Sequence, residues 1–301
     1  MRKALAVVSV VVAVALVPSS ALAWGTTVHR YVTRRAIDVL PVELKPFFTY
    51  YREEIVLRST DPDLWRVAGW EDAPNHFVSF GVPEFGSYPF TGLPREYGAA
   101  IERFGMATLK RYGLLPWRVA EEFGNLRRAF GGFGRNVRYA PSDVVLFSAI
   151  AAHYLQDAHQ PLHATDNYDG QMTGQIGVHS RWETALFDRF ESRLTIDPTP
   201  ASPLVNPRDV AFDALLASYQ LVAPLLKADK SAVAGKDAYD DEYFEKFFVA
   251  VKPILERQLA ASITKTVSLI VGAWEQAGKP ALRTEMPRSI ERVRVPGPRS
   301  R

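Results

Sequence analysis

Cysteine is absent from the 301-residue chain, which excludes a disulfide framework, a thiolate metal site and a cysteine nucleophile. Histidine is scarce, with six residues, so each position carries information. No segment sustains the apolar–polar alternation of a half-buried strand, and no internal repeat or low-complexity tract occurs. A composition that is 47% hydrophobic and 23% charged excludes a disordered or fibrous chain. The glycine-rich motif Gly131-Gly132-Phe133-Gly134-Arg135 has no preceding strand and no phosphate-gripping lysine. It reads as a turn after a helix.

Long apolar runs are confined to the start. Arg2 and Lys3 precede an apolar stretch from Ala4 to Val17, followed by Pro18-Ser19-Ser20 and the small-residue motif Ala21-Leu22-Ala23. This pattern describes a secretory leader, residues 1–23, cleaved after Ala23. The stretch is short of the roughly 20 residues that a spanning helix needs. No later segment reads as long and apolar enough to span, so the expected product is exported, to the periplasm or the medium. Without Arg2 and Lys3 the 36 basic residues fall to 34 against 33 acids, a net +1. That balance excludes the broad basic field of a duplex-binding protein. Only the end, residues 279–301, is arginine- and proline-rich, and it is expected to be a solvated, disordered tail.

Between these ends the periodicity is helical. Helices are expected over Thr26–Leu40, Pro46–Arg58, Glu96–Tyr112 and Trp117–Phe130. Others are expected from Pro141 to Asp157, over His179–Glu191 and Pro207–Leu226, and over Asp240–Trp274 with a break near Pro253. Pro141 suits a first helical turn, and Pro161 stops what precedes it. The reading is one all-α, multi-helix domain, residues 24–278, near the upper size of a single core.

The histidines fall in a metal-site pattern. His153 and Asp157 are four apart on the apolar helix, so both project from one face. His163 follows the helix stop, and His179 and Glu183 repeat the four-residue spacing on the next helix. Imidazole nitrogens and carboxylate oxygens in this arrangement suit zinc, which takes them at about 2.0–2.2 Å. Upstream lie His29, Asp63 and His76. His159 is left over, with a surface or supporting role as its expectation.

Taken together, Trp24-x4-His29, Asp63…His76, His153-x3-Asp157-x5-His163 and His179-x3-Glu183 resemble the zinc-dependent phospholipase C and single-strand nuclease superfamily. The resemblance runs from Trp24 to about Phe187. Ser59-Thr60-Asp61-Pro62-Asp63, His153-Tyr154-Leu155-Gln156-Asp157 and Gln160-Pro161-Leu162-His163 are closest to the bacterial phospholipase form. It implies three zinc ions in a helical domain. Asp63, His76, His153 and Asp157 would hold one, and His163, His179 and Glu183 a second. His29, Asp157 and the amine nitrogen and carbonyl oxygen of Trp24 would hold the third. Asp63 is favoured over Asp61 as ligand, with a second role in orienting the nucleophile. Arg66 resembles an arginine that faces phosphate in the nuclease branch.

The chemistry can also be argued directly. An α-amino group with a pKa of about 7.7–8.0 gives up its proton readily to zinc, whereas an amide nitrogen at Trp24 is a poor ligand. Zinc lowers the pKa of bound water and stabilises charge on phosphoryl oxygens, so no serine nucleophile is required. The expected substrate is a phosphodiester, first a phospholipid, with transient contact to a membrane surface. A single-strand nuclease or nucleotidase with the same metal site, acting on single-stranded nucleic acid or nucleotides, is the alternative, set back because Ser79 stands where the nucleases carry a base-reading aspartate. The loop Val82–Pro94, with Phe85, Tyr88 and Phe90, caps a substrate or packs on its own domain. A non-catalytic zinc-binding protein is the alternative of another class. No stable protein partner is implied.

Overall fold

A computed structural model describes residues 24–285. The expected leader, 1–23, lies outside the described residues, as do residues 286–301 of the expected tail. Among the described residues there is helix and no strand, as the lack of alternation requires.

The order is α1 (Thr26–Asp38), α2 (Lys45–Tyr50), α3 (Arg52–Arg58), α4 (Asp61–Val67), α5 (Tyr97–Phe104) and α6 (Met106–Tyr112). It continues with α7 (Leu115–Gly134), α8 (Ala140–Asp157), α9 (Val178–Ser180), α10 (Leu186–Phe190), α11 (Pro207–Tyr219), α12 (Val222–Val233) and α13 (Asp241–Gln276). Helix α8 is the central strut and packs on α7, α13, α3, α1 and α4. Ala149, Ala151 and Ala152 are covered on one stretch of it, and Val144, Val145, Ile150, Tyr154 and Leu155 are buried as well, so the helix is packed on several sides at once. Proline in its first turn and Asp143 beside it fit the helix start.

Several elements differ from the expectation. Glu96–Tyr112 is two helices because Gly105, at φ +74°, takes a left-handed conformation between them. Pro46–Arg58 is interrupted at Tyr51. Pro207–Leu226 breaks before Val222, because Pro224 in the first turn of α12 excludes a continuous hydrogen-bond ladder. The reverse holds at Pro253, which α13 accommodates without a break. That ring faces solvent while Phe247, Phe248, Val251, Leu255 and Leu259 are packed below, and their burial outweighs the roughly 3 kcal/mol a mid-helix proline costs. The segment Gly131–Gly134 is helical, the end of α7, and not a turn. The run Pro207–Val233 also reaches the mean hydropathy of a membrane span, 1.3, contrary to the expectation that no later segment does. It folds as two helices, with Ala211, Phe212, Leu215 and Leu225 in the core and Asp229 buried beside Arg181.

The first residues past the domain are docked. Trp274 donates its indole N–H to the Pro280 carbonyl, Tyr51 donates to Thr284, and Leu282 packs at the edge of the core. The aromatic loop folds back on its own domain: Phe85 meets Phe104 and Tyr112, and Phe90 stacks on Phe80. Tyr88 alone of its three aromatic side chains is well exposed.

Candidate metal centre

Five histidines converge with three carboxylates at the C-terminal end of α8. Three buried groups could each hold a metal ion: His29, His153 and Asp157; Asp63, His76 and His153; and His163, His179 and Glu183. In each, the donor atoms lie within 4.8 Å of one another. The resemblance implied His153 with one ion; the geometry places it in reach of two groups.

Asp157 is the hub. Its carboxylate lies 3.4 Å from His29 Nε2, 2.9 Å from His76 Nδ1, 3.4 Å from His153 Nε2 and 3.6 Å from His163 Nδ1. Burial opposes its charge, but the imidazoles around it hold its carboxyl well below the usual carboxylate range. Asp63 enters from the first turn of α4 and is 2% exposed, whereas Asp61 turns outward to Arg58 at 3.5 Å. The two aspartates flanking Pro62 are thereby distinguished. Burial, only partly offset by the charges of His29 and His76, pushes Asp63 up to about 6. Arg66, one turn on, reaches to 3.9 Å from Asp63.

The backs of four rings are anchored. His29 Nδ1 donates to Gln156 Oε1 at 2.7 Å, and His153 Nδ1 to the Ser59 carbonyl at 2.8 Å. His179 Nδ1 donates to the Tyr168 carbonyl at 2.9 Å, and His76 Nε2 to Asp72 at 2.9 Å. Such bonds fix the tautomer and aim the other nitrogen of each ring, here toward the cluster. Asp72 is itself held by the Tyr154 hydroxyl and Asn75. Burial disfavours charge on His76, yet its hydrogen bonds to Asp157 and Asp72 prevail and raise it to about 9. Burial pushes His163 down to about 3 and His153 well below its ordinary value.

The donor set fits bound cations. His29 Nε2, both Asp63 oxygens, Asp157 Oδ1 and His163 Nδ1 are buried with no hydrogen-bond partner. Buried polar atoms without a partner are costly and rare, and here they cluster among atoms that are metal ligands by type. The third group is different, because Gln160 donates its amide to both Glu183 Oε2 and His179 Nε2, at 2.9 and 3.0 Å.

Trp24 is buried, and its indole N–H donates to the Gln156 carbonyl at 2.9 Å, one residue before Asp157. Its ring packs on Trp182, one residue before Glu183. A side chain at Gly25 would come within 2.3 Å of Thr184 Oγ1, so glycine there lets the segment close on the cluster. The chain around Glu183 is a π-helical turn, Arg181–Ala185, between α9 and α10, not the regular helix expected. Arg181 tethers that turn to Asp229 at 3.0 Å and to the carbonyls of Gln175 and Ile176.

Above the cluster lies a cleft of about 380 Å³ walled by Arg66, His76, Phe77, Arg111, His163 and His179, among others. Ser79 lines it too, nearly covered. His159 is neither at the surface nor in the cluster. It is buried, donates Nδ1 to the Leu155 carbonyl at 2.9 Å, and burial pushes it down to about 4.

Sequence reasoning assigned no role to Asp72, Gln156, Gln160 or Arg111. Gln156 and Gln160 stand inside the quoted motifs, each beside a ligand candidate, which was a usable signal. Asp72 lies four residues before His76 in an irregular segment where spacing says nothing about facing. Comparison with family models and with curated proteins returns no match.

Proposed function

We propose that this chain is an exported zinc-dependent phosphodiester hydrolase of the phospholipase C type. The observation that carries the reading is the set of buried imidazole nitrogens and carboxylate oxygens that lack a hydrogen bond, next to a cleft lined by Arg66, Arg111, His76, His163 and His179. Three ions are proposed. Asp63, His76, His153 and Asp157 would hold one, and His163, His179 and Glu183 another. His29 and Asp157 would hold the third with the main-chain nitrogen and oxygen of Trp24. Zinc, when bound, lowers the pKa of water toward about 7 and neutralises charge that grows on phosphoryl oxygens.

The chain's own residues supply the rest. Asp157 spans the cluster, and the anchored imidazoles fix the ligand nitrogens in place before any ion arrives, so little reorganisation is needed. Asp63 orients the attacking water through its carboxylate. Arg66, on the wall of the cleft, hydrogen-bonds the phosphate oxygens, which selects an anionic substrate and draws charge from phosphorus. A lipid phosphodiester is favoured over a nucleic acid because Ser79, which lines the cleft, stands at the position where the resemblance puts the base-reading aspartate of the nuclease branch.

The test is metal analysis combined with parallel hydrolysis of phosphocholine esters, phosphatidyl lipids and single-stranded DNA, with and without chelator. Near-stoichiometric zinc and chelator-sensitive release of phosphorylated headgroup from the lipids support the reading. Cleavage of DNA alone would transfer it to the nuclease alternative. Bound zinc with no hydrolysis of any substrate would make it a non-catalytic metal protein.

A further inference from the structure

The rim of the cleft carries two charges that the metal centre does not use. Arg111 stands at the C-terminal end of α6 with its guanidinium 4.9 Å over the Tyr112 ring. Tyr112 is fixed in turn by donating its hydroxyl to Glu84 at 2.6 Å. Asp166 belongs to the same lining, and its backbone N–H donates to the Phe80 carbonyl at 3.1 Å. Both side chains line the cleft that contains His76, His163 and His179, and among the described residues neither forms an ion pair. They address a common space. The Tyr112 phenol, raised chiefly by its bond to Glu84, also feels Arg111, which lowers it, and Asp166, which raises it.

Opposite charges that leave each other unpaired suit a ligand with both signs. A headgroup with an ammonium alone meets one complementary charge and one repulsive one, and a headgroup with only an added anion fares the same. A headgroup with both finds a partner for each. We infer that Arg111 and Asp166 are specificity-determining residues that select a phosphodiester whose headgroup carries a carboxylate and an ammonium, a phosphoserine-type diester. Arg111 takes the carboxylate, for which its planar fork is suited, and Asp166 takes the ammonium. The inference rests on the phosphodiesterase reading, with Arg66 on the phosphate.

Two measurements on the mature, metal-loaded protein separate it from that reading. In calorimetry, glycerophosphoserine should bind more tightly than glycerophosphocholine, by about two- to fivefold for each partly exposed rim charge. In hydrolysis of short-chain lipids, the ratio of kcat/KM for the serine diester to that for the glycerol diester should exceed one, with the difference in KM. Arg111→Gln and Asp166→Asn should each bring that ratio toward one, while Arg111→Lys retains part of it. Equal affinities for the two soluble diesters, or a serine-to-glycerol ratio unmoved by both variants, would overturn the inference. A binding preference with no hydrolysis would instead count against the phosphodiesterase reading and leave the selectivity standing.

Discussion

Removing metal from the cluster should invert how stability depends on pH above neutrality. Without an ion, His76 lies between Asp157 and Asp72, 2.9 Å from each, and its pKa is raised from 6.5 to about 9. A histidine whose folded pKa is raised contributes stability that is fully present below the unfolded value. That contribution is lost as pH climbs through the folded value. The window is therefore pH 6.5 to about 9, and the loss is of the order of 3 kcal/mol. His29 and His179 are raised as well and act in the same direction, while His153 and His163 are lowered and stay silent in this window. Bound metal needs these imidazoles neutral, so in the loaded protein rising pH strengthens the site instead. Urea melts at the two ends of the window, on chelator-treated and zinc-reconstituted protein, read the difference. With slopes of about 1–3 kcal/mol/M, the metal-free midpoint should fall by on the order of 1 M, and the loaded midpoint should not. His76→Asn should flatten the metal-free slope. Metal-free stability that is constant or rises across the window would refute the claim that two carboxylates hold this ring charged.

Three further outcomes are expected. A chain beginning one residue before Trp24 should bind less zinc and hydrolyse more slowly than one beginning at Trp24, read by metal analysis and turnover; equal zinc content in the two forms would remove the terminal amine from the ligand set. Gly25→Ala places a carbon 2.3 Å from Thr184 Oγ1 and should cost about 1–3 kcal/mol by denaturant melts, with part of the loss recovered by adding Thr184→Ala. Arg181→Met leaves the Asp229 carboxylate, fully buried, without its cation and should cost about 3–5 kcal/mol. Pairing that change with Asp229→Leu should recover most of the loss, and a double variant no more stable than the single one would mean the ion pair is not what holds the turn around Glu183.

The chain by itself determined the fold class, the His153–Asp157 and His179–Glu183 pairings and the ends of the strut that carries the hub. Those features are local. A proline starts or stops a helix through its own ring, and a spacing of four puts His153 with Asp157, and His179 with Glu183, on one face wherever the helix lies. The helix breaks were partly local too. Pro224 and Gly105 each carried a signal, yet Pro253 did not break α13, because its cost is weighed against the packing of a whole apolar face. Only tertiary packing could bring His29 to Gln156 across 127 positions or His76 to Asp157 across 81. It also decided that Asp63 points inward and Asp61 outward, that Asp72 backs His76, and that Arg111 and Asp166 share a rim. The reason is physical. Sequence spacing fixes which side chains share a face of one element, whereas the direction in which each face points is set by the summed burial of every element packed around it.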